Sequence, residues 1–217
     1  MKTGNFLIAA ITMVLLAGCA TTLPPKKVNL SQTCYGRMAA VPAESLAPLS
    51  VEATKKLKAR DYADLAKCLE GSDGNKVPVV LYKVDGVQSP LVIKVMLTAS
   101  SSYGVFAARA TLLDQNFNEV SRTGFDKFIN RGNTYTADVF VNSTEVRYVA
   151  VGPDDQQVGK SEKQYSSQSN SAVIPAGPVI FVYTSGKDSV KELAYRDVGS
   201  LLVTVQSAVN APIEIRK

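Results

Sequence analysis

The stretch LVIKVMLTA, residues 91–99, decides the fold class of this chain. Its most apolar residues stand at every second position: Leu91, Ile93, Val95 and Leu97. A period of two matches a β-strand, because successive side chains of a strand face opposite sides of the sheet. We therefore expect a strand here, with one face turned toward a hydrophobic core.

Short runs rich in β-branched and aromatic residues continue on both sides of this stretch, separated by turn residues such as Asp85-Gly86. Further strands are predicted at 77–84, 105–113, 119–128, 135–141, 147–151, 179–184, 193–196, 201–205 and 213–215. The runs do not alternate with helical segments, so they predict antiparallel sheets packed face to face. The sequence thus predicts a mainly β protein with a β-sandwich domain at 77–217.

The longest interruption of this pattern is at residues 152–178, which are polar and enriched in Gly, Pro, Ser and Gln. We predict a long loop there. Binding residues concentrate in long loops carried by a rigid scaffold. This loop is therefore the segment where a ligand site is expected, although the sequence assigns no ligand-binding residue.

Residues 34–76, upstream of the strands, are predicted to form a small N-terminal helical lobe. Ser50 suits the N-cap of a helix, and the apolar residues after it recur at spacings of three to five. Gly71 is the kind of residue that follows a helix C-terminus. A helix is accordingly predicted over Ser50–Glu70.

The N-terminus resembles a bacterial lipoprotein signal peptide. Lys2 supplies a positive start, and an apolar run leads into Leu16-Ala17-Gly18-Cys19, which is similar to a lipobox. The run is shorter than the roughly 20 apolar residues of a membrane span. The resemblance implies a signal peptide at 1–18, lipidation of Cys19 and a lipidated tether at 19–33. The alternative is an ordinary secretory signal whose cleavage site happens to contain a cysteine.

The residue after Cys19 bears on location. It is Ala20 and not Asp, which by resemblance to lipoprotein sorting rules favours the outer membrane. One acyl chain holds a protein weakly, whereas two or more anchor it firmly. We therefore predict an outer-membrane lipoprotein that faces the periplasm, with the membrane as a partner through the lipid on Cys19.

Two further cysteines, Cys34 and Cys68, remain once Cys19 is lipidated. An even pair in an oxidising compartment predicts a disulfide bond. Two buried thiols are the alternative. The disulfide would lie within the predicted helical lobe.

Composition narrows the possible chemistry. The chain has no histidine, which excludes Ser-His-Asp and Cys-His catalysis. Its net charge of +5 is dispersed along the length, so no nucleic-acid partner is predicted. Asp114-x-Asn116-x-Asn118 begins like a calcium loop but lacks its later glycine and glutamate, so a β-turn is predicted instead. No catalytic residue, metal site or cofactor is predicted.

Four motifs stand in the same order as in a known periplasmic family. They are Cys34–Pro42, Val80–Gly86, Leu112–Phe117 and Val158–Ser161. With the closing run 199–205, they resemble the maltose-operon periplasmic protein family (MalM-like). The resemblance implies a jelly-roll-like antiparallel β-sandwich and a link to carbohydrate transport of the maltose or maltodextrin type, and it supplies no catalytic residue.

These features predict a non-enzymatic binding or accessory module held at the outer membrane, with carbohydrate as a possible partner. The alternative is a structural or assembly lipoprotein of an envelope complex, which would act through contacts with envelope proteins.

Overall fold

The computed structural model describes residues 26–31, 33–46, 57–71, 73–84, 90–176 and 179–208. Cys19, Ser50 and the strand predicted at 213–215 lie outside these residues, as does the predicted signal peptide. The statements below concern the described part of the chain.

Strands dominate this part of the chain. They are β1 Ala43–Leu46, β2 Arg60–Asp61, β3 Lys67–Glu70, β4 Lys76–Val84, β5 Leu91–Thr98, β6 Val105–Phe106, β7 Ala108–Leu113, β8 Glu119–Thr123, β9 Ile129–Arg131, β10 Thr134–Val141, β11 Tyr148–Pro153, β12 Ser161–Ala176, β13 Val179–Arg196 and β14 Ser200–Ser207. The helical elements are the single-turn helix α1, Tyr62–Leu65, and 3-10 helices at Met38–Ala40 and Phe125–Lys127. The predicted mainly β fold is confirmed.

Two sheets form the sandwich. A six-stranded sheet has the order β1-β4-β11-β7-β8, with β3 also paired to β4. A five-stranded sheet has the order β2-β14-β5-β10-β9. Strand β4 is long enough to hold two neighbours on one edge, β3 antiparallel at residues 76–79 and β1 parallel at residues 81–84. The remaining pairings within these two sheets of the described chain are antiparallel, as expected from the sequence.

The core lies between the two sheets, and β5 fills its centre as its alternation predicts. Ile93, Val95 and Leu97 have no exposed surface. They belong to one cluster with residues of the facing sheet, including Val80, Val149 and Val151. Burying one such side chain contributes about 1.5–3 kcal/mol, so this cluster is the main source of stability for the sandwich.

Residues 34–41 cover the outer face of the six-stranded sheet. The Tyr35 N–H donates to the Cys68 carbonyl oxygen at 2.9 Å, and the Glu70 N–H donates to the Tyr35 carbonyl oxygen at 2.9 Å. Val41 is buried in a second apolar cluster that includes Leu81. The predicted Cys34–Cys68 disulfide is present, with the two Cα atoms 4.6 Å apart. It fastens the covering segment to β3.

The helix predicted over Ser50–Glu70 is wrong where the structure describes it. Only Tyr62–Leu65 is helical, and Lys67–Glu70 form strand β3. Cys68 faces Pro78 of β4 in the register of that pairing. Sheet pairing and the disulfide outweigh the helical propensity of a short segment, because propensity differences are below about 1 kcal/mol per residue. Residues 67–70 are therefore part of the six-stranded sheet.

Most strand predictions in the sandwich are confirmed, with small differences at the ends. The predicted strand 105–113 is divided at Ala107, whose N–H donates to the Arg196 carbonyl oxygen at 2.8 Å. The predicted strand 119–128 ends at Thr123, and a 3-10 helix follows at Phe125–Lys127. The chain turns there because Phe125 enters the core, where it is buried.

Candidate functional site at the long hairpin

The loop predicted at 152–178 is wrong: most of this segment is strand. Residues 152–153 end β11, a turn follows, and β12 begins at Ser161. Strands β12 and β13 pair antiparallel through sixteen register pairs, from Ser161↔Ala194 to Ala176↔Val179. The strands predicted at 179–184 and 193–196 are thus two parts of β13. Pairing between the two strands satisfies the inward-pointing backbone hydrogen-bonding groups of this Ser-rich and Gln-rich segment.

The hairpin extends far from the sandwich. Apart from β6, which pairs with Tyr195 and Arg196, no other described strand pairs with β12 or β13. From Gln164 to Ala176 it runs for about 40 Å, at about 3.3 Å per residue. Large side chains along it are exposed: Tyr165, Val173, Val182 and Val190 are 78%, 64%, 65% and 58% accessible. The hairpin is a two-stranded ribbon that is open on both edges.

The base of the hairpin is fixed by backbone contacts. The Tyr195 N–H donates to the Lys160 carbonyl oxygen at 2.8 Å, and the Gly159 N–H donates to the Tyr195 carbonyl oxygen at 3.0 Å. Gly104 packs against the same strand with φ of 93°. A Cβ at that position would lie 2.0 Å from the Ala194 carbonyl oxygen, so only glycine fits.

A hydrogen-bonded cluster joins the hairpin base to the sandwich. Oε2 of Glu162 accepts from the Tyr195 hydroxyl at 2.7 Å. Oε1 of Glu162 accepts from the Tyr135 hydroxyl of β10, and from the side-chain amides of Asn130 and Gln164 at 3.3 and 3.2 Å. Both amides also donate to the Tyr135 hydroxyl oxygen at 3.0 Å. We call these five residues the Glu162 cluster.

The surroundings of the Glu162 cluster shift the pKa values of its tyrosines and of its carboxyl group in opposite directions. Burial, followed by the hydrogen bond to Glu162, raises the pKa of both Tyr135 and Tyr195. Burial acts to raise the pKa of Glu162 as well, but the hydrogen bonds from its four partners outweigh burial and lower it. The carboxylate therefore stays ionised as an acceptor and the two phenols stay protonated as donors. Such an arrangement suits a structural clamp, because neither partner exchanges its proton near neutral pH.

Aromatic rings support the cluster from the core. The Phe125 ring centroid lies 5.3 Å from that of Tyr135 and 4.8 Å from that of Tyr195, the latter edge to face. Asp154, in the turn between β11 and β12, is buried, and its Oδ2 accepts from the Phe125 N–H at 2.8 Å. The turn before the hairpin thus holds the ring on which both tyrosines rest.

A polar cleft of about 440 Å³ opens beside the Glu162 cluster. Its wall combines the β9–β10 turn with the hairpin base, including Asn130, Asn133, Gln164, Tyr165, Lys191 and Glu192. Amides, an ammonium group, a carboxylate and an exposed phenol ring suit a polar ligand that offers hydroxyl groups. The cleft is formed at the hairpin base; of its lining, Gln164 and Tyr165 belong to residues 152–178, where the sequence predicts a ligand site, and the other side chains lie outside that segment.

The other sequence motifs have structural roles. Oδ1 of Asp114 accepts from the N–H groups of Asn116 and Asn118 at 2.7 and 2.8 Å, so the predicted β-turn is confirmed. Cys34 and Cys68 lie on the outer face of the sandwich and not in the cleft. No cluster of three or more metal-ligating side chains occurs in the part of the chain that the structure describes. That part also contains no helix of the length and hydrophobicity that a membrane span requires.

Sequence reasoning missed the Glu162 cluster. Its members come from β9, β10, β12 and β13, so they meet only after the hairpin has folded back on itself. One signal was available: Gly177-Pro178 separates two apolar runs, 172–176 and 179–183. A turn dipeptide between such runs is typical of a β-hairpin.

Comparison with known proteins identifies no relative of this chain. It matches no protein-family model, no curated protein and no solved structure. The resemblance to the maltose-operon periplasmic protein family therefore stays a prediction. The functional argument rests on the hairpin and the cleft at its base.

Proposed function

We propose that this chain is a periplasm-facing lipoprotein of the outer membrane, without enzymatic activity, that docks onto another envelope component through the hairpin β12–β13. The observation that carries the proposal is the ribbon itself. It extends about 40 Å from its base, carries exposed valines and a tyrosine, and is clamped to the body by the Glu162 cluster.

The energetics of an isolated ribbon support this proposal. Two strands without a third strand or a packed face are marginally stable in water. Open strand edges also invite pairing with other chains, and proteins usually shorten or cover them. A ribbon of sixteen register pairs that is left open is costly to keep unless a partner uses it. We therefore favour docking over a purely structural role for this hairpin.

Removing the hairpin tests the proposal. Residues 165–190 are replaced by Asn-Gly, which joins Gln164 to Lys191, two residues that face each other in register. The mature chain carrying Cys19→Ser is used, so that no lipid contributes to binding. We expect this protein to sediment with isolated envelope fragments and the hairpin-deleted form to stay in solution, with the sandwich folded in both.

A shortened hairpin is the matched control. Deleting the register pairs Ser169↔Gly186 and Asn170↔Ser185 removes about 7 Å from the ribbon but leaves every remaining residue on its own face. This form should still sediment with envelope fragments. Equal sedimentation of the hairpin-deleted form and the full-length form would contradict the proposal.

The anchor is tested separately in cells. Replacing Cys19 by Ser in the precursor removes the acyl chains that hold the protein firmly. We expect the variant to shift from the membrane fraction to a soluble fraction, with the loss of the lipid mass. Retention in the membrane fraction with an unchanged mass would contradict lipidation of Cys19.

Carbohydrate binding is a second candidate function, and the polar cleft favours it. The cleft places the Tyr165 ring next to amide and charged side chains, a combination that can stack on a sugar and bond its hydroxyls. Calorimetric titration with maltodextrins tests it, with Tyr165→Ala as the variant that should weaken binding. The absence of heat at millimolar maltodextrin would remove this candidate.

A further inference from the structure

The outer end of the hairpin has a different composition from the rest of it. We call residues 172–183, AVIPAGPVIFVY, the tip; it contains no charged residue. Its register pairs are Ala172↔Tyr183, Val173↔Val182, Ile174↔Phe181, Pro175↔Ile180 and Ala176↔Val179. Successive pairs alternate between the two faces of a ribbon, and all five of these pairs combine apolar or aromatic residue types.

We infer that the tip inserts into the interfacial region of a phospholipid bilayer; this rests on the proposed docking function and names its partner. A groove on a protein partner would require an apolar face on one side of the ribbon only. A lipid interface surrounds the inserted element on both sides. Val173 and Val182, which form one pair, are both about two-thirds exposed. Insertion into a lipid interface would bury both side chains.

Proline argues against a second copy of the chain as the occupant. Strand addition requires free N–H groups along the ribbon edge, and proline provides none. Pro175 stands in β12, and Pro178 follows it in the sequence between the two strands. The same missing donors lower the cost of placing the tip in lipid, where unpaired N–H groups are expensive.

The length of the tip sets the depth of insertion. Five register pairs span about 15 Å, which is half of a hydrocarbon core about 30 Å thick. An open ribbon cannot cross that core, because its edge groups would have no partners there. Insertion of about 10 Å, the upper end of the range for interfacial elements, reaches the pair Val173↔Val182, which lies three pairs back from Ala176↔Val179, and leaves the polar part of the ribbon in water.

The N-terminal segment emerges from the same end of the sandwich as the hairpin. Nζ of Lys26 lies 2.8 Å from Oδ1 of Asp64 on α1. Strand β2, which directly precedes α1, pairs with Ser200, four residues after the end of β13 at Arg196. Six residues lie between Cys19 and Lys26, so the seven Cα steps give a reach of at most about 25 Å. Because this reach is shorter than the ribbon of about 40 Å, a lipid on Cys19 and the tip meet one membrane surface when the ribbon is strongly tilted toward that surface.

Single tryptophans test the inference, because the natural chain has none. The mature chain with Cys19→Ser is mixed with vesicles of phosphatidylethanolamine and phosphatidylglycerol. We expect Val182→Trp fluorescence to shift to the blue and to be quenched by brominated lipids. Phe140→Trp, at an exposed side chain of β10 in the sandwich, should do neither. Identical responses at the two positions, or none at either, would overturn the inference.

Charge substitution gives a second readout. Val173→Asp and Val182→Asp should each weaken vesicle binding about tenfold, since burial of one valine contributes about 1.5 kcal/mol or more. Phe140→Asp, at an exposed side chain of β10 outside the hairpin, should leave vesicle binding unchanged. If vesicles do not bind but envelope sedimentation still requires the hairpin, the lipid inference fails and the docking function stands with a protein partner. If neither requires the hairpin, both fail.

Discussion

The Tyr195 hydroxyl on β13 donates a 2.7 Å hydrogen bond to Oε2 of Glu162 on β12. The other carboxylate oxygen accepts from Tyr135 on β10, in the five-stranded sheet. A single carboxylate thus joins both strands of the hairpin to each other and to the sandwich. The direction in which a ribbon of about 40 Å leaves the body is set at this point.

Glu162→Gln should loosen the base of the hairpin. The amide keeps the shape of the carboxylate but loses the charge that strengthens four hydrogen bonds. We expect the free energy of unfolding to fall by about 1–2 kcal/mol, measured by urea denaturation. Glu119→Gln is the control: Glu119 forms an exposed pair with Arg122, and its loss should cost less than about 1 kcal/mol. Equal effects would contradict the assigned role of Glu162.

The contribution of Glu162 should depend on pH. Its pKa in the folded protein lies below the ordinary value of 4.5, so the ionised carboxylate stabilises the fold above pH 4.5. This contribution is lost as the pH falls from 4.5 through the folded-state pKa. The difference in unfolding free energy between wild type and Glu162→Gln should therefore be largest near neutral pH and shrink in acid. A difference in unfolding free energy that is independent of pH would contradict a lowered pKa of Glu162 in the folded protein.

Gly104→Ala should disrupt the contact between β6 and the hairpin. The new Cβ would lie 2.0 Å from the Ala194 carbonyl oxygen, so the backbone would have to move. We expect a loss of at least about 2 kcal/mol in unfolding free energy. Gly132→Ala is a matched control, since Gly132 also has a positive φ of 71° but no atom within 4 Å of its added Cβ. Similar losses in the two variants would show that the close approach is unimportant.

Removing the disulfide should destabilise the sandwich without unfolding the hairpin base. Cys34 and Cys68 are 34 residues apart, and a bond closing a loop of that size contributes about 3–4 kcal/mol. The double variant Cys34→Ser and Cys68→Ser should lose about this much, measured by urea denaturation against wild type. A thiol assay on the unfolded Cys19→Ser protein should find none, and two reactive thiols would disprove the bond.

The sandwich could be predicted from the sequence because its strands have one buried face. In β5, burial of Ile93, Val95 and Leu97 imposes the alternation that can be read directly. The helix predicted over Ser50–Glu70 is wrong at its C-terminal end because Cys68 is held in β3 by its pairing with Pro78 and by the disulfide to Cys34. Neither Pro78 nor Cys34 belongs to the segment 50–70 whose helical pattern led to the prediction.

The hairpin could not be predicted in the same way, because beyond its base the side chains that the structure describes are largely exposed. Residues such as Ser169 and Asn170 are exposed although they lie in a strand, so no apolar alternation marks them. The Glu162 cluster was also hidden, since Tyr135 and Glu162 are 27 positions apart. The features proposed here to be functional are thus those least visible in the sequence, as is common for sites that depart from core-packing rules.

Amide hydrogen exchange of the lipidated, wild-type protein in its envelope tests the central claim most directly. Open ribbon edges exchange quickly in solution, and contact with a partner slows them. We predict slower exchange in residues 165–190 in the envelope than in detergent solution, with unchanged exchange in 91–98 of the sandwich core. Equal exchange of residues 165–190 in the two conditions would contradict docking through the hairpin.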